Sequence, residues 1–219
     1  MTPAAVVFDL DGTLVDSRPD LALAVNRMRS ELALSALPEA TIGAMIGEGA
    51  RVLVDRALAD APLAVHRPQA LASFLAHYAT VCTVSTRPYD GIEELLAACH
   101  RRWPLALLTN KPIAMTVEIV EHLDWTRYFR FLVGGDSLAF RKPDGRGLEH
   151  LAQALEVAVD RVVLVGDSRI DAETARAAGA AFVWVEWGYA AAEDRCGLAG
   201  GLSARTPAAL ANWLDALPQ

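Results

Sequence analysis

The stretch Ala4-Ala5-Val6-Val7-Phe8-Asp9-Leu10-Asp11-Gly12-Thr13-Leu14 begins as an unbroken apolar run and turns into an acidic loop. Five apolar residues in a row, with no alternation, suit a strand covered on both faces, as in a parallel sheet. The run stops at two acids one residue apart, where carboxylates contribute nothing to packing. In an open α/β sheet, however, ligands bind beyond the carboxyl ends of the strands. Asp9 and Asp11 fall at such an end.

Working outward, residues 105–108, 162–165 and 181–185 are further short apolar runs, and 131–133 is a weaker one. The stretches between them have the length that βαβ units require. The pattern predicts an α/β fold with a Rossmann-like, mainly parallel sheet wrapped by helices. Residues 16–84 differ, because no strand-like run interrupts them. Ser17-Arg18-Pro19-Asp20 reads as a helix start with an N-cap serine, an early proline and an acid at the third position. Leu21, Val25, Met28 and Leu32 then share one helical face, and further helices are expected over 38–46, 49–60 and 67–82. The expected organisation is a catalytic core of residues 1–15 and 85–219 with a small helical cap, 16–84, inserted after the first strand.

Composition narrows the function classes. The chain has 219 residues, 53% of them hydrophobic, and a formal net charge of -7. An acidic balance argues against nucleic acid as a partner. No apolar run has the eighteen or so residues of a membrane span, and the N-terminus has no secretion-signal pattern. Cys82, Cys99 and Cys196 fit neither a disulfide framework nor a zinc motif, so reduced cysteines in a cytoplasmic protein are expected. The five histidines are scattered and read as surface or packing residues. Lysine occurs only as Lys111 and Lys142, each directly before a proline.

Three more motifs follow strand-like runs. Thr109-Asn110 offers a hydroxyl and an amide that can donate to phosphoryl oxygens without adding charge. Lys142 is a cation on a loop. Gly166-Asp167-Ser168 opens a helix that should end at Gly179, and Asp171 lies four residues after Asp167, near a helix start where negative charge is favoured. Each alone has an ordinary structural explanation, as a turn, a surface lysine or a helix cap. Three of the four motifs fall at one end of neighbouring strands, which would bring Asp9, Asp11, Asp167 and Asp171 into one pocket. Two carboxylates about 4 Å apart repel by roughly 4 kcal/mol at an effective dielectric near 20. Four of them need a cation beyond Lys142, and an oxygen-only donor set points to Mg²⁺.

These motifs, in this order and with a helical insert after the first, resemble the haloacid dehalogenase superfamily, and within it the phosphoglycolate phosphatase-like enzymes. The likeness is carried by Asp9 through Ser17, Leu108-Thr109-Asn110-Lys111-Pro112, Lys142-Pro143, Gly166 through Asp171, Trp187-Gly188-Tyr189 and Gly47-Glu48-Gly49-Ala50. It implies a Mg²⁺-dependent phosphatase of small phosphate monoesters. Asp9 would be the nucleophile, and Asp11 the general acid and then the base. Thr109 and Asn110 would hold the phosphoryl group, while Lys142 would balance its charge and orient Asp9. Asp9, the carbonyl of Asp11, and Asp167 would coordinate the ion, with Asp171 helping from close by. Dehalogenating relatives lack an acid at the position of Asp11, which directs the reading to phosphoryl chemistry. Two departures are Asp144-Gly145, where relatives often place another proline, and the glycine- and alanine-rich stretch 190–203.

Residues 47–50 are expected to face Asp9 from the cap, with Glu48 and Arg51 either touching substrate or lying solvated at a turn. A phosphomutase using the same Asp pair and a catalytically silent binding module are the rival readings. Substrates left open are phosphoglycolate, sugar phosphates, nucleotides and pyrophosphate, and the assembly a monomer or homodimer. No G-x-S-x-G elbow follows a strand, which excludes an α/β-hydrolase.

Overall fold

The computed structural model describes residues 2–189 and 202–217. Strand β1, Ala5–Phe8, lies inside a six-stranded parallel sheet. A two-stranded ribbon, β2 (Val15–Asp16) and β3 (Arg87–Pro88), pairs antiparallel where the chain leaves and re-enters this layer. The other sheet strands are β4 (Leu105–Leu108), β5 (Phe129–Val133), β6 (Val162–Gly166), β7 (Ala181–Val185) and β8 (Leu202–Ala204), in the order β5-β4-β1-β6-β7-β8. The expected runs at 105–108 and 181–185 coincide with strands, and the weaker one at 131–133 is the end of β5. β8 was not anticipated. It falls at the end of the glycine- and alanine-rich stretch, of which 190–201, with Cys196, lies outside the described residues.

Burial on both faces explains why the strands lack alternation. Val6, Phe8, Leu105, Leu107, Val163 and Val165 enter one core, while Ala5, Val7, Ala106, Leu108, Val162 and Leu164 enter the other. The first core is closed by α5 (Ile92–His100), α6 (Ile113–His122) and α9 (Pro207–Asp215), the second by α7 (Arg146–Ala154) and α8 (Arg169–Ala178). A 3₁₀ turn, Val159–Arg161, leads into β6. Helix α8 starts on a reciprocal capping box between Ser168 and Asp171 and stops at Gly179, which adopts φ 73°.

Four helices lie between β2 and β3: α1 (Arg18–Glu31), α2 (Glu39–Gly43), α3 (Ala50–Ala57) and α4 (Arg67–Ala79). The cap region sits among α2–α4. Each of the later three is shorter than the apolar pattern suggested, and Gly47 and Gly49, at φ 124° and 90°, separate α2 from α3. Met28, Ile42, Leu53, Phe74 and Tyr78 form their apolar centre. Arg29, 1% exposed, forks onto both oxygens of Asp60 at 2.8 Å and also donates to the carbonyls of Ser35 and Ala57.

Ser17 precedes α1 but makes no side-chain cap bond, contrary to the sequence pattern. Its hydroxyl turns toward the acidic loop instead. Asp20, read as an N-terminal acid, is buried and accepts from Ser85 N, Thr86 N and Thr86 Oγ1 at 2.7–2.9 Å. One carboxylate thus ties the outgoing chain to the returning chain. Cys82 and Cys99 are buried and free. Among the described residues, no helix is long and apolar enough to cross a membrane.

Candidate active site

Asp9 follows β1 directly, and its backbone N–H donates to Val165 O at 2.9 Å, which locks the loop to β6. Its Oδ1 lies 2.7 Å from Lys142 Nζ, an ion pair that no directed hydrogen bond accompanies. The same ammonium donates to Asp171 Oδ1 at 2.6 Å. The lysine side chain is only 3% exposed, so the surface reading of this residue fails because two buried carboxylates hold it. Asp171 closes its coordination with Ser168, accepting from N at 3.1 Å and from Oγ at 2.5 Å. It therefore acts as helix cap and lysine anchor together.

Asp167, at the tip of β6, accepts from Thr13 Oγ1 at 3.3 Å and from Tyr189 N at 2.7 Å. The second bond draws the segment after β7 over the acids, and Trp187 Nε1 fixes it by donating to Thr13 O at 2.9 Å. This close approach requires two glycines. A Cβ on Gly188 would stand 2.2 Å from Asp167 Cβ, and one on Gly12, already at φ 83°, would meet Asp167 Oδ2 at 2.3 Å. No side chain fits either position.

Burial and mutual repulsion dominate the electrostatics. Asp9 is pushed up to about 7 by burial, with Asp171 and Asp11 adding to the rise and Lys142 opposing it. Asp167 is pushed up to about 8 by burial, then by Asp171 and Asp9. Burial would lower Lys142, yet Asp171 and Asp9 hold it above the ordinary lysine range. Oxygens of Asp9, Asp167 and Asp171 lie within 4.8 Å of one another. Three buried acids with one ammonium between them leave uncompensated negative charge, which fits a cation. With oxygen donors alone, that cation is a hard one. The cluster can hold a metal ion.

The Asp11 carboxylate points elsewhere. Lys111 Nζ donates to both of its oxygens at 2.8 Å, and Ser17 Oγ donates to Oδ1 at 2.5 Å. Tyr189 reinforces this end, since its hydroxyl accepts from Ser17 N at 2.7 Å. Lys111, Ser17, Tyr189 and Tyr78 had no site role assigned from sequence. The rarity of lysine marked Lys111 for inspection, whereas Ser17 was masked by its good fit to a helix cap.

Thr109 is buried, and its Oγ1 accepts from Lys111 N at 3.2 Å, which leaves the hydroxyl proton to give. Asn110 differs from expectation. Both of its amide protons are committed, to Gly47 O and Lys142 O at 3.0 Å each, so in this arrangement it offers a phosphoryl oxygen no amide proton. Two carbonyls facing the amide fix this orientation. The residue instead latches the core to the Gly47 turn.

Asp9, Asp11, Ile46 and Gly47 line two adjoining spaces. One is a cleft of about 560 Å³, bordered by Glu48, Arg141, Lys142, Asp167 and Tyr189; the other is a narrow pocket of about 40 Å³ reaching under α4. Residues 47–50 thus face the acids as expected. Glu48 borders the cleft but is ion-paired with Arg56. Arg51 is exposed on α3 and lines neither space.

The acid cluster lies at the carboxyl ends of β1 and β6 in a parallel sheet, and comparison with known proteins gives the class of this arrangement as a hydrolase. Residues 3–179 match the haloacid dehalogenase-like hydrolase family, and the chain belongs to it. A curated phosphoglycolate phosphatase from Cupriavidus necator is 42% identical over 217 residues, covering 98% of this chain and 91% of that one. The phosphoglycolate phosphatase of Colwellia psychrerythraea is 38% identical over 196 residues, 86% of this chain and 87% of its own. A solved structure from Lactobacillus delbrueckii subsp. bulgaricus superposes with a TM-score of 0.89 at 28% identity, over 98% of this chain and 99% of that chain. Within its family, this chain is phosphoglycolate phosphatase-like.

Proposed function

We propose that the chain hydrolyses a small phosphate monoester of the phosphoglycolate type through an aspartyl-phosphate on Asp9. The carrying observation is Asp9 itself, buried at the tip of the strand between β4 and β6 and held 2.7 Å from Lys142. The names of the relatives at 38–42% identity support the substrate class.

In the first step a carboxylate oxygen of Asp9 attacks phosphorus, the P–O ester bond breaks, and the leaving oxygen takes a proton from Asp11. In the second, water gives a proton to Asp11 and attacks phosphorus. The P–O bond to Asp9 then breaks, which returns the carboxylate and releases phosphate. Lys142 orients Asp9 and offsets phosphoryl charge, and Thr109 donates its hydroxyl proton to a phosphoryl oxygen. Ser17 and Lys111 aim Asp11. Asp9 and Asp167, with Asp171 and the Asp11 carbonyl beside them, would hold Mg²⁺. Its contribution when bound is positive charge against the phosphoryl oxygens. The family's cap, among α2–α4, limits water and leaving-group size. The free, buried Cys82 and Cys99 accord with a cytoplasmic setting.

Phosphate release from 2-phosphoglycolate, with and without Mg²⁺, tests this reading. Release should require the ion and should fall roughly 10⁴-fold or more in Asp9→Asn. Turnover that survives in Asp9→Asn would remove the nucleophile.

A further inference from the structure

Resting on that reading of the reaction, we propose that Lys111 and Tyr78 form a carboxylate subsite that selects the leaving group. The narrow pocket runs from Asp9 and Asp11 to Tyr78 of α4, between apolar walls that include Leu21, Leu53 and Phe74. Its 40 Å³ admits roughly three water-sized groups, since one water needs about 10–15 Å³ of such space. That is room for a group of about a carboxylate's size.

Two residues lining this pocket carry donors with unfilled capacity, beside the unpartnered acceptor Asn110 Oδ1. Lys111 Nζ, on a side chain 2% exposed, has three N–H donors. Two meet the oxygens of Asp11, and among the described residues the third meets no oxygen acceptor, only the face of the Tyr78 ring. The Tyr78 hydroxyl is buried without any hydrogen-bond partner. Lys111 Nζ lies over the Tyr78 ring, 4.7 Å from its centre, so the two residues are neighbours in the pocket lining. A buried hydroxyl left unpaired is costly, and a pocket that keeps one has the property of a ligand site. A small anion with two oxygens matches a spare ammonium proton and a spare phenol. A leaving group that ends in a methyl answers neither. Asp11 retains Ser17 Oγ as a second anchor at 2.5 Å, so sharing Nζ with an incoming carboxylate does not release it.

The test compares kcat/KM for 2-phosphoglycolate and ethyl phosphate, which differ only in carboxylate against methyl. The wild-type ratio reads the function: a preference of about 10²-fold for 2-phosphoglycolate is expected, because sites built for polar groups discriminate strongly. No preference would overturn the substrate reading and the subsite with it. The ratios of the variants read the subsite alone. Lys111→Met should lower kcat for both esters, since Asp11 loses an anchor, and should also raise KM for 2-phosphoglycolate so that the ratio comes to within about threefold of one; Tyr78→Phe should lower the ratio about five- to tenfold. If activity on both esters falls in parallel with the ratio intact, Lys111 serves only to position Asp11, and the proposal is overturned. Should Lys111→Met not fold, Tyr78→Phe decides by itself, and an unchanged ratio there overturns the subsite.

Discussion

The chain has two lysines, both before a proline and both buried against aspartates, yet their surroundings differ. Lys142 bridges Asp9 and Asp171 between strand tips. Lys111 leaves the tip of β4 for the opposite side, grips Asp11 and reaches the Tyr78 ring of a cap helix. On the proposed reading, one ammonium serves the phosphoryl chemistry and the other meets the leaving group. The contrast shows that a residue type and its sequence neighbours do not fix a role. What fixes it is which second layer the side chain reaches.

Removing the first lysine should have the largest effect. Lys142→Met should lower kcat on every ester alike by about 10²–10³-fold. It should also destabilise the fold by about 3 kcal/mol, since Asp9 and Asp171 lose their buried partner. Kinetics and denaturant unfolding of one preparation would check both. A selective loss on acidic esters would break the contrast with Lys111.

Asn110 couples the two sides through Gly47 O and Lys142 O. Asn110→Ala should raise KM and lower kcat, together about tenfold in kcat/KM. An unchanged kcat/KM would show that this latch has no bearing on turnover.

The acid cluster also predicts an unusual pH slope for metal-free protein. Asp9 and Asp167 hold their protons up to about 7 and about 8 when folded, against roughly 3.9 when unfolded. The folded chain thus binds more protons between those limits, and their contribution to stability falls as pH rises from about 4 to about 8. Asp167→Asn removes one of the two groups, so its melting temperature should drop less across that window. Equal slopes would contradict the electrostatic picture.

The smallest effect concerns the cap exterior. Arg51→Ala should change kcat/KM less than about twofold, as exposed charges away from a site contribute little. A larger change would show that Arg51 swings inward during turnover.

Much of the architecture was legible because burial on two faces writes continuous apolar runs, as at 105–108, and because strand tips ending in Asp, Thr-Asn and Gly-Asp carry no packing rationale. β8 was not legible. It has three residues, with Leu202 42% exposed, and so leaves no pattern. The helices expected over 38–46, 49–60 and 67–82 were placed correctly on either side of the Gly47-Glu48-Gly49 turn but overran by three residues at each C-terminal end, where apolar residues continue after the helical backbone stops. Within the site, Asp9, Lys142 and Asp167 came from motif position. Ser17 and Tyr189 did not, because their roles depend on contacts spanning up to 172 residues.

The Asp20 clamp on Ser85 and Thr86 has a consequence for how such enzymes diversify. Because the outgoing and returning chains are fastened to each other, helices hung beyond the fastening can lengthen, shrink or be replaced without shifting Asp9. Selectivity can drift across generations while the chemistry stays in place.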